Sequence, residues 1–299
     1  MIVHPKPNLL NILISLKGSI AKRIALRSVM VTVLASLIVL LENLHPAYFS
    51  RVNATPFTLL GISLSIFMSF RNTACYERWW EGRKAWGQVI VEVRSFIRES
   101  VVIHDRKLRD SLLRGLCGYA HALNARLRNE DEAKAARHWV DDVSHLPAHN
   151  ISDGILQGTG QACSRLAEQQ VISEWRYVSL EQRLKGLSEA QATCERIKTT
   201  PLPFPYTLLL HRTIYIFCIL LPFAMAEPLG WLAPLFTAIV SYTFFGLDAI
   251  SDELEDPFGR DENDLPTDAI VRTIEREVLG ALGHAKLPPP LQAVDFVLS

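Results

Sequence analysis

The chain has 299 residues, and its 31 basic side chains balance its 31 acidic ones. That balance excludes a dedicated nucleic-acid binder, which would carry a basic excess. Hydrophobic residues make up 49% of the chain against 21% charged, so the apolar side chains must be concentrated in particular segments.

In chain order, the N-terminal MIVHPKPNLL carries prolines and no hydrophobic run directly after its basic residues, so it does not read as a cleaved signal peptide. Ile24–Leu41 is an 18-residue candidate span with Arg27 as its one charge, and Val52–Phe70 is 19 residues without a charge. Pro201–Ala226 is apolar except for His211 and Arg212, and Pro228–Leu247 is 20 residues without a charge. A helix needs about 20 apolar residues to cross about 30 Å of hydrocarbon. A single such run would also fit a buried helix of a soluble protein. Four of them point to a membrane.

The spans fall in pairs joined by short links, Glu42–Arg51 and Glu227–Pro228, so each pair should be an antiparallel hairpin. Lys6, Lys17, Lys22 and Arg23, with Arg27 in its first turn, lie at the N-terminal end of the first span, and Arg71, Arg78, Arg83 and Lys84 follow the second, whereas the links carry only Arg51. The positive-inside rule then places both termini and the middle of the chain in the cytoplasm of a cell with this protein in its inner (plasma) membrane. The expected organisation is a cytosolic segment 1–23, a hairpin 24–70, a cytosolic helical region 71–200, a second hairpin 201–247, and a cytosolic acidic loop, helix and tail at 248–299. The fold class is all-α with four transmembrane helices.

Residues 71–100 contain no proline and should continue the second span as one helix. Residues 105–140 and 162–198 also read as helices, while His145–Gly160 reads as a loop from its Pro, Gly, Asn and Asp content. Thr267–Leu282 reads as a helix capped by Thr267 or Asp268, followed by an extended tail. The five cysteines are widely spaced, with no CxxC pair, and should be free thiols. There is no GxGxxG, Walker A, HExxH or GxSxG sequence, so nothing supports an enzyme. The histidines form no ligand pair on a helix.

Three features could carry function. Ile62, Ile66 and Phe70 recur at i, i+4 and i+8 in the second span, among the small residues Gly61, Ser63, Ser65 and Ser69. Such a stripe suits lipid or helix packing, or an apolar ring around a pore that closes by dewetting. Arg78, Trp79 and Trp80 at the end of the span suit anchoring at the bilayer interface. The stretch SDELEDPFGRDENDL holds seven carboxylates around a Pro257-Phe258-Gly259 turn, which suits a solvated loop or calcium.

An apolar span ending in Arg-Trp-Trp, with a later span followed by Pro-Phe-Gly and an acidic string, resembles the bestrophin family. FRNTACYERWWEGR looks like the bacterial form. The resemblance implies a homopentameric ion channel with one central pore lined by the second span. It places an apolar neck on Ile62, Ile66 and Phe70, and a second, cytosolic constriction on Leu180 or Val178. It also places two calcium-clasp carboxylates on Asp261 and Asp264, although Arg260 and Asn263 replace acidic residues of the animal pattern, so no cofactor is required. The family implies chloride as the permeant ion, but an apolar neck sets no charge preference, so a bacterial member could prefer cations. The implied partners are other copies of the chain, the lipid bilayer and permeant ions. The alternative is a membrane-anchored scaffold or sensor that does not conduct.

Overall fold

A computed structural model describes residues 1–3, 19–45 and 52–299. Most of the expected N-terminal segment and of the Glu42–Arg51 link lies outside these residues. The helices are α1 (Ala21–Leu44), α2 (Thr55–Glu99), α3 (Arg106–Leu127), α4 (Glu132–Ala136), α5 (Ile151–Glu168), α6 (Glu174–Thr199), α7 (Phe204–Leu229), α8 (Ala233–Glu255) and α9 (Thr267–Ala281). Among the described residues, extended pairing is confined to the isolated bridges Ile2–Val297 and Val294–Val297.

The helices build two compact units. The apolar unit is Pro5–Arg78 with Pro201–Glu255, and the charged unit is Trp79–Thr200 with Asp256–Ser299 and Met1–His4. Helix α2 is continuous over 45 residues and contributes to both. The absence of proline and glycine clusters after Phe70 allows that continuity, as the sequence suggests.

In the apolar unit, Ile24 and Val31 of α1 pack with Leu64 and Met68 of α2. Leu210, Ile214 and Phe217 of α7 and Phe244 and Phe245 of α8 complete the cluster. Thr32 and Ser36 of α1 donate their hydroxyls to the carbonyls of Ser28 and Thr32, at 2.7 and 3.0 Å. Such back-bonding lets a polar side chain sit in an apolar helix. Helix α1 and the run Phe204–Glu255 are long and apolar enough to cross a membrane. The apolar part of α2 is not among them, because it runs for only 16 residues from Thr55 before Arg71 and Asn72 end it. The second hairpin turns later than its sequence suggests. Pro228 lies inside α7, and the chain reverses at Gly230–Leu232, where Gly230 takes φ +48°.

The charged unit has its own core, which includes Trp86, Phe96, Tyr119, Leu123, Leu187, Phe258 and Ile274. The Tyr119 hydroxyl, wholly buried, donates to the Leu187 carbonyl at 2.8 Å. The expected 105–140 helix is broken after Leu127, where Asn129 takes φ +57° and Asp131 restarts the chain by accepting from Lys134 N–H.

The expected loop at His145–Gly160 is corrected by α5, which begins at Ile151. Asn150 accepts from Asp153 N–H, and one Glu132 carboxylate oxygen accepts from Ile151 and Ser152 N–H, at 3.0 and 3.2 Å. Together they satisfy the first turn. A Cβ on Gly154 would lie 2.5 Å from Pro147 Cδ, so this glycine serves close packing of a helix and not a turn. Helix α9 begins at Thr267 as expected, but without a side-chain cap. Asp268 binds Asn124 at 2.7 Å and Arg128 instead.

Candidate functional site

The α2 segment in the apolar unit has two opposed faces. Leu64, Met68, Arg71 and Cys75 are buried and spaced by four, three and four residues. That spacing is one stripe of an α-helix. Ile62, Ile66 and Phe70 lie diametrically opposite and are 55%, 50% and 63% exposed. All three expected neck residues thus share one face that the described residues leave exposed. Ile62 and Ile66 also border a groove of about 500 Å³ against Phe217, Leu221, Val240 and Phe244. Gly61 keeps this groove tight, since a Cβ there would meet the Phe217 ring at 3.3 Å.

The buried stripe holds a charge cluster that sequence reading did not find. Arg71 is wholly buried and binds Asp248 at 2.8 Å and Asp252 at 2.6 Å, with Glu255 at 3.7 Å. His211 Nδ1 lies 2.8 Å from Asp248 Oδ2, and its Nε2 lies 3.6 Å from Asp252. Next along α2, Asn72 accepts from the Ser251 hydroxyl at 2.7 Å, and Arg78 donates to the Glu255 carbonyl at 3.2 Å. The cluster fastens α2 to α8 directly behind Phe70. His211, Asp248 and Asp252 could in principle hold a metal, but the Arg71 guanidinium already occupies both carboxylates. The available signal was the set of lone charges at the ends and middle of apolar runs, since charges at membrane depth pair with one another.

Other expected positions are placed as follows. Leu180 is wholly buried in the charged-unit core, whereas Val178 is 48% exposed. Of the two expected aperture positions, Leu180 thus packs inside its own chain and Val178 presents its side chain outward. Beside it, Ser179 donates to Glu99 at 2.7 Å, and Arg183 reaches Glu92 at 3.2 Å. Trp79 is turned into the protein, its indole N–H donating to the Asn263 carbonyl at 3.1 Å. Arg78 is engaged by Glu255 as above. Of the three expected anchors, Trp80 keeps a half-exposed ring.

In the acidic loop, Asp261 is exposed and Asp264 is buried. Asp264 Oδ2 accepts from Asp261 N–H at 2.8 Å and would collide with a Cβ on Gly259. Burial pushes the Asp264 carboxyl up to about 6, the state of a carboxylate short of compensating positive charge. Arg260 turns away to Glu130 at 2.6 Å. Asp264 therefore ties the Pro-Phe-Gly loop, and the burden of its buried charge is the feature that a cation would relieve.

Among the described residues the protein is helical, and its long apolar helices and buried arginine cluster suit an integral membrane protein. The bacterial and fungal bestrophin model matches residues 1–280, and the chain belongs to the bestrophin family. It is 41% identical over 302 residues to a voltage-dependent anion channel-forming protein of Mesorhizobium japonicum, covering 100% of this chain and 97% of that one. The protein of the same description, YneE, from Escherichia coli K12 is 35% identical, with 96% of each chain covered. The crystal structure of a bestrophin homologue from Klebsiella pneumoniae superposes with a TM-score of 0.81 at 32% identity, covering 88% of this chain and 100% of that one. The chain is accordingly an ion channel protein and not an enzyme.

Proposed function

We propose that five copies of the chain surround one central pore in the inner membrane and that α2 lines it. Ions pass down their gradient without an energy source. In this reading, both hairpins cross the bilayer with the termini and the charged unit in the cytoplasm, as the lysine and arginine distribution favours. The observation that carries it is the opposition of the two α2 faces. One is buried against α7 and α8, and the other presents Ile62, Ile66 and Phe70 outward.

The serines and threonines that lower the hydropathy of α2 suit a helix facing water and neighbouring helices better than one facing lipid. An apolar ring strips an ion of contact with polar groups, so it controls passage by wetting. Val178 supplies the second constriction. The loop carboxylates Asp261 and Asp264 are the residues that would hold calcium, and bound calcium would supply the positive charge that buried Asp264 lacks.

The test is current through purified protein in planar bilayers. Ile66→Ala and Phe70→Ala are expected to raise conductance several-fold by shortening the apolar barrier. If alanine at all three neck positions leaves conductance unchanged, the pore face is misassigned.

A further inference from the structure

The exposed face of α2 does not end at Phe70. Leu59, Ile62, Ile66, Phe70, Thr73 and Glu77 follow one another at spacings of three or four residues. At 3.6 residues per turn they lie within about 40° of one line along the helix. All six are exposed. Glu77 is seven residues, two turns, beyond Phe70, and it is the first ionisable side chain on this face.

Helix α2 contains four glutamates, Glu77, Glu81, Glu92 and Glu99. Three are engaged by the chain itself: Glu81 by Arg196, Glu92 by Arg183, and Glu99 by Ser179 and Arg183. Glu77 has no hydrogen-bond or ion-pair partner among the described residues. Its sequence neighbour Arg78 donates to the Glu255 carbonyl on the packed side. A carboxylate without a counter-charge at this place is stable only where water reaches it. Against lipid or a dry helix contact it would be strongly unfavourable.

We propose that Glu77 is a charge-selecting residue of the pore, favouring cations over anions just beyond the apolar neck. The inference rests on the reading of this face as the pore wall. With one copy from each subunit, Glu77 makes a ring of carboxylates on the ion path. The neck sets no preference for either sign, so the first charged ring beyond it biases which ion is concentrated at the constriction.

The experiment is the reversal potential of the purified channel in planar bilayers under a KCl gradient, for wild type, Glu77→Gln, Glu77→Asp, Glu77→Lys and Phe70→Ala. Glu77→Gln is expected to lower the potassium-to-chloride permeability ratio by about threefold to tenfold, the range for unit charges acting through water. Glu77→Asp should keep the wild-type ratio and Glu77→Lys should move it further toward chloride. The difference between wild type and Glu77→Gln should shrink as salt rises toward about 1 M, where the Debye length is about 3 Å.

An unchanged ratio in Glu77→Gln and Glu77→Lys, with altered conductance in Phe70→Ala, overturns the role of Glu77 and leaves the pore face standing. No change in Phe70→Ala as well overturns the pore face, and Glu77 falls with it. Glu77 is exposed and unpaired among the described residues, so its variants should assemble, and size-exclusion elution of each variant verifies this.

Discussion

Two glycines of α5 separate packing from propensity. Gly154 lies against the Pro147 ring, and a Cβ there would be 2.5 Å from it, whereas a Cβ on Gly158 would meet nothing within 4 Å. Gly154→Ala should destabilise the protein by about 1–3 kcal/mol through overpacking. Gly158→Ala should instead stabilise it by up to about 1 kcal/mol, because glycine is the weaker helix former. Thermal unfolding of the detergent-solubilised variants distinguishes the two, and equal effects would contradict the packing. These glycines also explain why the sequence reads as a loop here. Gly, Asn and Pro signal a turn when only neighbours in sequence are considered, but Asn150 and Glu132 cap a helix and Gly154 admits a proline from the preceding segment. The shared face of Ile62, Ile66 and Phe70 was legible for the converse reason, since their spacing alone puts them on one side of the helix.

At the scale of elements, α2 was legible as a single helix because nothing in its sequence interrupts it. Its attachment was not, because Asp248 and Asp252 lie 177 and 181 residues away from Arg71. Removing one partner of a buried pair strands the other's charge, so Arg71→Ala should cost about 3–5 kcal/mol. Asp248→Asn in the same chain should recover part of that loss, by relieving a wholly buried carboxylate. Melting temperatures of the single and double variants measure the coupling, and strict additivity would show that the pair does not hold α2 to α8. Leu180 illustrates the remaining limit. Two positions along a helix separate the core side chain of Leu180 from the outward one of Val178, and the resemblance placed that region only to within two residues.

Across the whole molecule, all five cysteines are free and buried, as their spacing implies. Burial pushes the Cys163 and Cys194 thiols up to about 12. At pH 8 their thiolate fraction is on the order of one in ten thousand, and the thiolate is the reactive form. A thiol-specific reagent should therefore label them slowly in the native protein and rapidly in denaturant. Fast native labelling at either position would contradict the packing of the charged unit. An unfolded thiol titrates near about 8.5. The stability gained by burying these groups in neutral form is thus complete below that pH and is lost as pH rises toward 12. The melting temperature should fall over that interval, and substituting both cysteines by alanine should flatten the decline. The number of subunits had no sequence signature of its own and came only with the family, because an outward helix face specifies that something completes it and not how many copies do.

The separation of Arg71 from Asp248 also sets a schedule for biogenesis. A ribosome adding about 5–20 residues per second needs roughly 10–35 s to make the 177 residues between them. During that time the guanidinium has no carboxylate from α8, and an unpaired charge is stable only where water reaches it. Arg71 can therefore take up its buried, paired position only after α8 has been synthesised. A chain that ended before Asp248 would carry Arg71 without its wholly buried partner.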